Sequence, residues 1–190
     1  MMSEPIQTDA QLIRGYLAGR QSAFQILYER YEKPLYGFLF RFVRERAAAD
    51  DLFQQTWLKI IRALPRYEER GTFSSWLFGI ANNCGIDYVR RKEVCLKDDL
   101  ASGEGMDMMA CEQNLPDQQL VDRESRKWLQ DAIDQLPVEQ KQVILLRLYG
   151  EVPFREIALQ MNCSINTVLG RMHYAVQNLK KIYEKRLSEA

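Results

Sequence analysis

Apolar residues recur three and four positions apart along most of this chain, the period of helices that each bury one face. Thr8 with Gln11, and Ser22 with Gln25, have capping-box spacing, a side-chain oxygen followed three residues on by an amide, so helices are expected to begin at both. The first carries Leu12, Ile13, Tyr16 and Leu17 and stops near Gly19. The second carries Phe24, Leu27, Tyr28, Tyr31, Leu35, Phe38, Leu39 and Phe42, with a bend expected at Pro34. A third is predicted from about Ala48 to Leu64, with Leu52, Phe53, Thr56, Trp57, Ile60, Ile61 and Leu64 inside and Pro65 ending it. A fourth is predicted from near Thr72 to about Arg91.

From Val94 to about Gln119 the period fails. Ser102-Gly103-Glu104-Gly105 and Asn114-Leu115-Pro116-Asp117 read as a flexible tether. Helical pattern resumes near Leu120 with Trp128, Leu129, Ile133 and Leu136. Pro137 then opens a helix with Val143, Ile144, Leu146 and Leu148 that ends at Gly150, Pro153 opens a short one, and Ser164 caps a long last one. No segment alternates as a strand would. The expected fold is all-α, two small helical domains (1–93 and 120–190) joined by a linker (94–119).

Composition refines this picture. Of 190 residues, 46% are hydrophobic, enough for packed cores, and 26 Lys and Arg balance 26 Asp and Glu. The balance hides a pattern. Residues 1–93 hold 14 basic against 11 acidic side chains, 94–120 hold 1 against 6, and 121–190 hold 11 against 9, so two mildly basic blocks flank an acidic middle. Cys84, Cys95, Cys111 and Cys163 form no CxxC pair and His173 is the single histidine, which argues against zinc and di-metal sites; free thiols in a reducing compartment are expected. Oxidation joining Cys95 to Cys111 would shorten the tether. No basic-then-apolar leader and no run of about 20 apolar residues is present, so a cytoplasmic protein without membrane insertion is expected.

Two stretches carry candidate chemistry. Phe154 to Met172 fits two helices crossing through a tight turn, with Ile157, Ala158, Ile165, Val168 and Met172 as shared core, Asn162 where the backbone must turn left-handed and Ser164 as cap. The first turns of such a second helix enter a major groove, exposing Asn166, Thr167, Leu169, Gly170, Arg171 and Tyr174. Arg171 can reach a guanine edge or a phosphate, Asn166 and Thr167 bases or backbone oxygens. Early cations are few, so a partner that adds DNA contacts is expected. The second stretch, Phe73 to Asn83, precedes the cations Arg90-Arg91-Lys92. Phe73, Leu77, Ile80, Ala81, Cys84 and Tyr88 suit an inner face. Trp76, Asn83, Asp87 and Arg90 fall on another stripe with Phe78 and Asn82 beside it, where aromatics can stack on bases and amides can read them.

Taken in order, the motifs Ala49-Asp50-Asp51-Leu52-Phe53-Gln54-Gln55-Thr56-Trp57, Arg62-Ala63-Leu64-Pro65-Arg66-Tyr67, Thr72 to Asn83 with Asp87 and Arg90-Arg91, Leu136-Pro137, Glu156-Ile157-Ala158 and Asn166-Thr167-Val168 with Arg171-Met172-His173 cover nearly the whole chain. Together they resemble the extracytoplasmic-function sigma factors, the two-domain initiation factors of bacterial RNA polymerase. The resemblance implies that the first block is region 2-like and the last a region 4-like helix-turn-helix. It implies core polymerase binding by Asp50, Asp51, Gln54, Gln55, Lys59 and Arg62, on the clamp helices of the largest subunit, with the second-largest subunit as a further contact. It implies minus-ten contacts by Trp76, Phe78, Asn82, Asn83, Asp87, Arg90 and Arg91, and minus-thirty-five contacts by Ser164, Asn166, Thr167, Gly170, Arg171 and Tyr174. An anti-sigma partner, often membrane-bound, is also implied, and no cofactor. Gly79, Leu169, Gly170 and Tyr174 depart from the residues common in that family.

The alternative is a free-standing helix-turn-helix regulator that binds duplex DNA without polymerase. An enzyme is not expected: the chain shows no Gly-rich phosphate loop and no metal cluster, and Asp50 and Asp51 diverge by about 100° on their helix.

Overall fold

A computed structural model describes residues 7–69, 71–99 and 128–189, with side chains through Lys92 and Ser188 in the latter two segments. The first block holds α1 (Asp9–Leu17), α2 (Gln21–Val43), α3 (Arg46–Ala63), a 3-10 turn (Leu64–Arg66) and α4 (Phe73–Asp99). The second holds a short helix α5 (residues 128–134), then α6 (Val138–Gly150), α7 (Phe154–Gln160) and α8 (Ile165–Glu189). Among the described residues there is no strand, and no helix is long and apolar enough to cross a membrane.

The capping box at Thr8 forms in full: the Gln11 backbone N–H donates to Thr8 Oγ1 at 3.3 Å and Thr8 N–H donates to Gln11 Oε1 at 2.9 Å. Helix α1 is then fixed to α2 by Asp9, which pairs with Arg30 and accepts from the Tyr31 hydroxyl at 2.5 Å. Burial, and after it this bond, push the Tyr31 phenol up from the usual tyrosine range. The expected box at Ser22 does not form. Helix α2 starts two residues earlier, with Arg20 in place of Ser22 at the N-cap and no side-chain cap bond, because Arg20 N–H already bonds Gly15 O in the tight corner after α1. Beyond that start α2 runs through Pro34 to a left-handed Arg44.

The first core gathers Leu27, Leu35, Phe38 and Leu39 of α2, Leu52, Trp57 and Ile60 of α3, and Phe73, Leu77 and Ala81 of α4. Helix α4 continues past the expected end near Arg91 to Asp99. Loss of apolar period there is not loss of helix: Lys92 to Asp99 contains neither Gly nor Pro, and most of its residues favour helix well enough to extend one already nucleated. Residues 100–127, which hold the rest of the acidic stretch, and the expected Cys95–Cys111 link lie outside what is described.

In the second block Pro137 and Pro153 stand at the N-cap positions of α6 and α7, where a missing N–H costs nothing. Val143, Ile144, Leu145 and Leu146 are buried, whereas Leu148, expected in the core, is 61% exposed. It lies about 200° around the helix from Leu146. The core does not stop at the block boundary: α6 packs on α2 and α4, and α7 touches α4.

Replacing Thr8 by Ala should lower the stability of the full chain by about 1 kcal/mol in urea unfolding, whereas Ser22→Ala should change it by no more than about 0.5 kcal/mol, since of these two only Thr8 caps a helix.

Candidate nucleic-acid and polymerase interface

Helix α3 presents one sealed and one open face. Leu52, Thr56, Trp57 and Ile60 are buried against α2 and α4, leaving Asp51, Gln54, Gln55, Leu58, Lys59 and Arg62 exposed on the other side. Asp50 stands at the margin, half-buried, and accepts a hydrogen bond from Tyr36 at 2.7 Å. Lys59 is tied across to α4, its Nζ lying 3.3 Å from Cys84 Sγ. Leu58, 52% exposed in the middle of this polar row, was not among the expected contacts; its signal in the sequence is an apolar residue four beyond Gln54 and three beyond Gln55, out of step with the buried stripe.

The start of α4 is built by Thr72, whose Oγ1 accepts the Ser75 backbone N–H at 3.1 Å and sits 2.7 Å from Ser75 Oγ. Trp76 is half-buried. Its ring lies 4.9 Å from Tyr67 and 5.6 Å from Phe73, and its open edge lines a shallow groove with Lys59, Arg62 and Arg66. Asn83, Asp87, Arg90 and Arg91 are exposed along the same helix, and Arg91 Nε donates to Asp87 O at 3.2 Å. Near the end of this surface Glu45 accepts from the Tyr88 hydroxyl at 3.1 Å and pairs with Lys92 at 3.4 Å. Burial chiefly, then the bond to Glu45, raise the Tyr88 phenol.

Phe78 and Asn82, expected beside the exposed stripe, are instead buried, with 0% and 1% exposure. The reason is that α4 is covered on two sides, by α3 and by α2 with α6. Phe78 meets Phe38 edge-on at 5.4 Å, and seven residues later a Cβ on Gly85 would strike Phe42, so Asn82 stands between them on the face turned toward α2.

At the helix-turn-helix, Asn162 adopts φ 48°, Cys163 N–H donates to Ala158 O at 3.0 Å, and Ser164 Oγ accepts the Thr167 N–H at 3.0 Å. Ile157, Ala158, Val168 and Ala175 close its core. Ile165 does not join them: three residues before Val168 it points about 60° aside, beyond the face α7 covers, and is 45% exposed. Asn166, Thr167 and Tyr174 are exposed, and a side chain at Gly170 would meet nothing within 4 Å. Arg171 is half-buried, its Nη1 lying 3.7 Å from Cys163 Sγ and 3.9 Å from Met161 Sδ, so the guanidinium rests on the turn.

A model of Sigma-70 region 2 matches residues 27–94 and one of Sigma-70, region 4 matches residues 126–179. The "ECF RNA polymerase sigma factor SigX" of Bacillus subtilis is 28% identical over 165 residues, spanning 86% of this chain and 85% of that one. The "RNA polymerase sigma factor CarQ" of Myxococcus xanthus is 33% identical over 164 residues, 86% of this chain and 91% of its own. The chain belongs to the extracytoplasmic-function group of sigma-70 factors. Its helical fold is that of a solved sigma factor, RpoE of Bartonella quintana in complex with the anti-sigma factor NepR, at a TM-score of 0.70 and 19% identity over 85% of this chain and 96% of that one. In this sigma factor the region 2 match holds the whole of α3, and the region 4 match holds α6, α7 and most of α8.

The left-handed turn of the sigma factor should tolerate Asn162→Gly and resist Asn162→Val, which should lose about 1–2 kcal/mol in urea unfolding followed by circular dichroism.

Proposed function

We propose that this sigma factor binds bacterial core RNA polymerase through the outer face of α3 and brings two separate DNA-reading surfaces to a promoter. The observation that carries the reading is that face itself: Asp51, Gln54, Gln55, Leu58, Lys59 and Arg62 stand open in one row on a helix whose other side is fully packed. Asp50, held by Tyr36, borders it. A helix presented this way suits docking against the paired clamp helices of the largest subunit, with the second-largest subunit as a further contact.

In this reading residues 1–93 form the polymerase and minus-ten unit, 94–119 the tether and 120–190 the minus-thirty-five unit. Trp76, Asn83, Asp87, Arg90 and Arg91 face melted single-stranded DNA, the ring available for stacking and the cations for phosphates. Phe78 and Asn82 reach it only if α4 is uncovered. Ser164, Asn166, Thr167, Gly170, Arg171 and Tyr174 approach duplex DNA from the start of α8. No covalent step by this chain is involved: trapping unpaired bases shifts the closed-to-open promoter equilibrium. The work is done in the cytoplasm. The complex of the Bartonella factor with NepR supports an anti-sigma protein as the inhibitory partner here as well.

The test is competition with a primary sigma factor for core polymerase. The purified chain should bind stoichiometrically, and Asp51→Arg with Gln55→Ala should weaken it by about tenfold or more while leaving helix content unchanged. Tight binding to duplex DNA alone, with none to core polymerase, would instead make the chain a free-standing regulator.

A further inference from the structure

Helix α8 is longer than its packing requires. Val168 and Ala175 are buried, Met172 and Leu179 pack against the same core, and that core takes in no described residue of α8 beyond Leu179. Asn178 Nδ2 donates to Gln140 Oε1 at 3.0 Å, a last polar tie to α6. The region 4 match ends at the same place, residue 179. Yet the helix runs on to Glu189, about three more turns. Those turns are held rather than left trailing. The Trp128 ring of α5 meets Tyr183 at 5.1 Å, and the Arg186 guanidinium lies 5.6 Å from the centre of the same ring. Tyr183 and Arg186, three residues apart, stand on one side of α8, so the two contacts together fix the direction of its end.

The same turns are basic. Residues 180–189 hold Lys180, Lys181, Lys185 and Arg186 against Glu184 and Glu189, whereas residues 165–174 hold Arg171 as their one Lys or Arg. Arg186 turns to Trp128, and Lys180 pairs with Glu184 at 3.8 Å. Lys181 and Lys185 take a different direction. At about 100° per residue, Lys181 falls about 20° from both Gly170 and Tyr174, and Lys185 returns to the direction of Thr167. Both lysines are exposed. They therefore continue the face by which the start of α8 approaches DNA.

We propose that Lys181 and Lys185 form a phosphate clamp beyond the helix-turn-helix, holding the DNA backbone at the rim of the groove that the first turns of α8 enter. The assignment of α8 to DNA rests on the proposed function; the clamp supplies cations that the start of the helix lacks. The reach is suitable. Lys181 stands ten residues, or about 15 Å, beyond Arg171, and the major groove is about 12 Å wide. A helix whose first turns sit inside the groove has left it by Lys181, and what it meets at the rim is phosphate rather than base edges. Such contacts fix position and add affinity without reading sequence. The brace at Trp128 gives the clamp its rigidity: it keeps the last turns in line with the first, so that both lysines stay on the reading face.

The test is the salt dependence of DNA binding by the full chain without polymerase. Fluorescence anisotropy of a labelled random-sequence duplex, titrated across a series of KCl concentrations, gives the slope of log affinity against log salt. Each phosphate contact contributes about 0.9 to that slope, so Lys181→Gln should reduce its magnitude by about 0.9 and Lys181→Gln with Lys185→Gln by about 1.8. Lys180→Gln, which removes the same charge about 100° aside, should leave the slope unchanged. An unchanged slope in the double variant would overturn the clamp, as would a loss in Lys180→Gln equal to that in Lys181→Gln. Absence of duplex binding by the wild type at low salt would overturn it too. Failure of the wild type to bind core polymerase would instead contradict the proposed function, and the salt slope, measured without polymerase, would still decide the clamp.

Discussion

Phe78 sits where three helices converge. Phe38 of α2 meets its ring edge-on, Gly150 at the end of α6 passes over it, and it belongs to α4, whose face about 100–120° further round carries Leu77 and Cys84 into the core. A helix covered from two directions keeps only a narrow arc for anything else. On α4 that arc holds Asn83, Asp87, Arg90 and Arg91, with Trp76 at its edge. The same packing places α3 with its outer row free, because the side of α3 that meets α2 and α4 is saturated by Leu52, Trp57 and Ile60. Both proposed surfaces of region 2 are thus what remains after the core is satisfied.

Electrostatics act locally here. A chain with no net charge gains nothing from long-range attraction to DNA as a whole, and α8 offers only Arg171 near its start, resting on the sulfurs of Met161 and Cys163. On the proposed function, neither DNA surface suffices alone. Joined on one tether and fixed on polymerase, two weak contacts become one intramolecular event, and their affinities combine. That is the physical sense of a factor that needs its enzyme in order to find a promoter.

Much of this was legible from residues whose signal is local. The Thr8 box, the proline N-caps at 137 and 153, left-handed Asn162 and the Ser164 cap all arise from backbone chemistry within four residues, and all stand where the sequence places them. The inward stripe of α3 followed from period alone. What could not be read was set by distant neighbours. Ser22 has the right spacing for a cap, but the corner through Gly15 and Arg20 starts the helix ahead of it. Phe78 and Asn82 look like part of an exposed stripe until α2 and α6 cover the helix, and Ile165 looks buried until its direction, about 60° aside from Val168, leaves it outside the face α7 covers. Gly79 reads as a departure from the family's common residue in the sequence and as a seat for Gln160 in the fold.

The most direct measurement is transcription from fragmented bacterial genomic DNA by core polymerase supplemented with this chain, with every RNA 5′ end mapped. The account predicts new start sites, absent with core alone, that share two upstream elements at one fixed spacing, one for each DNA-reading block. A stoichiometric mixture of active core and folded chain that yields no new start sites would contradict it.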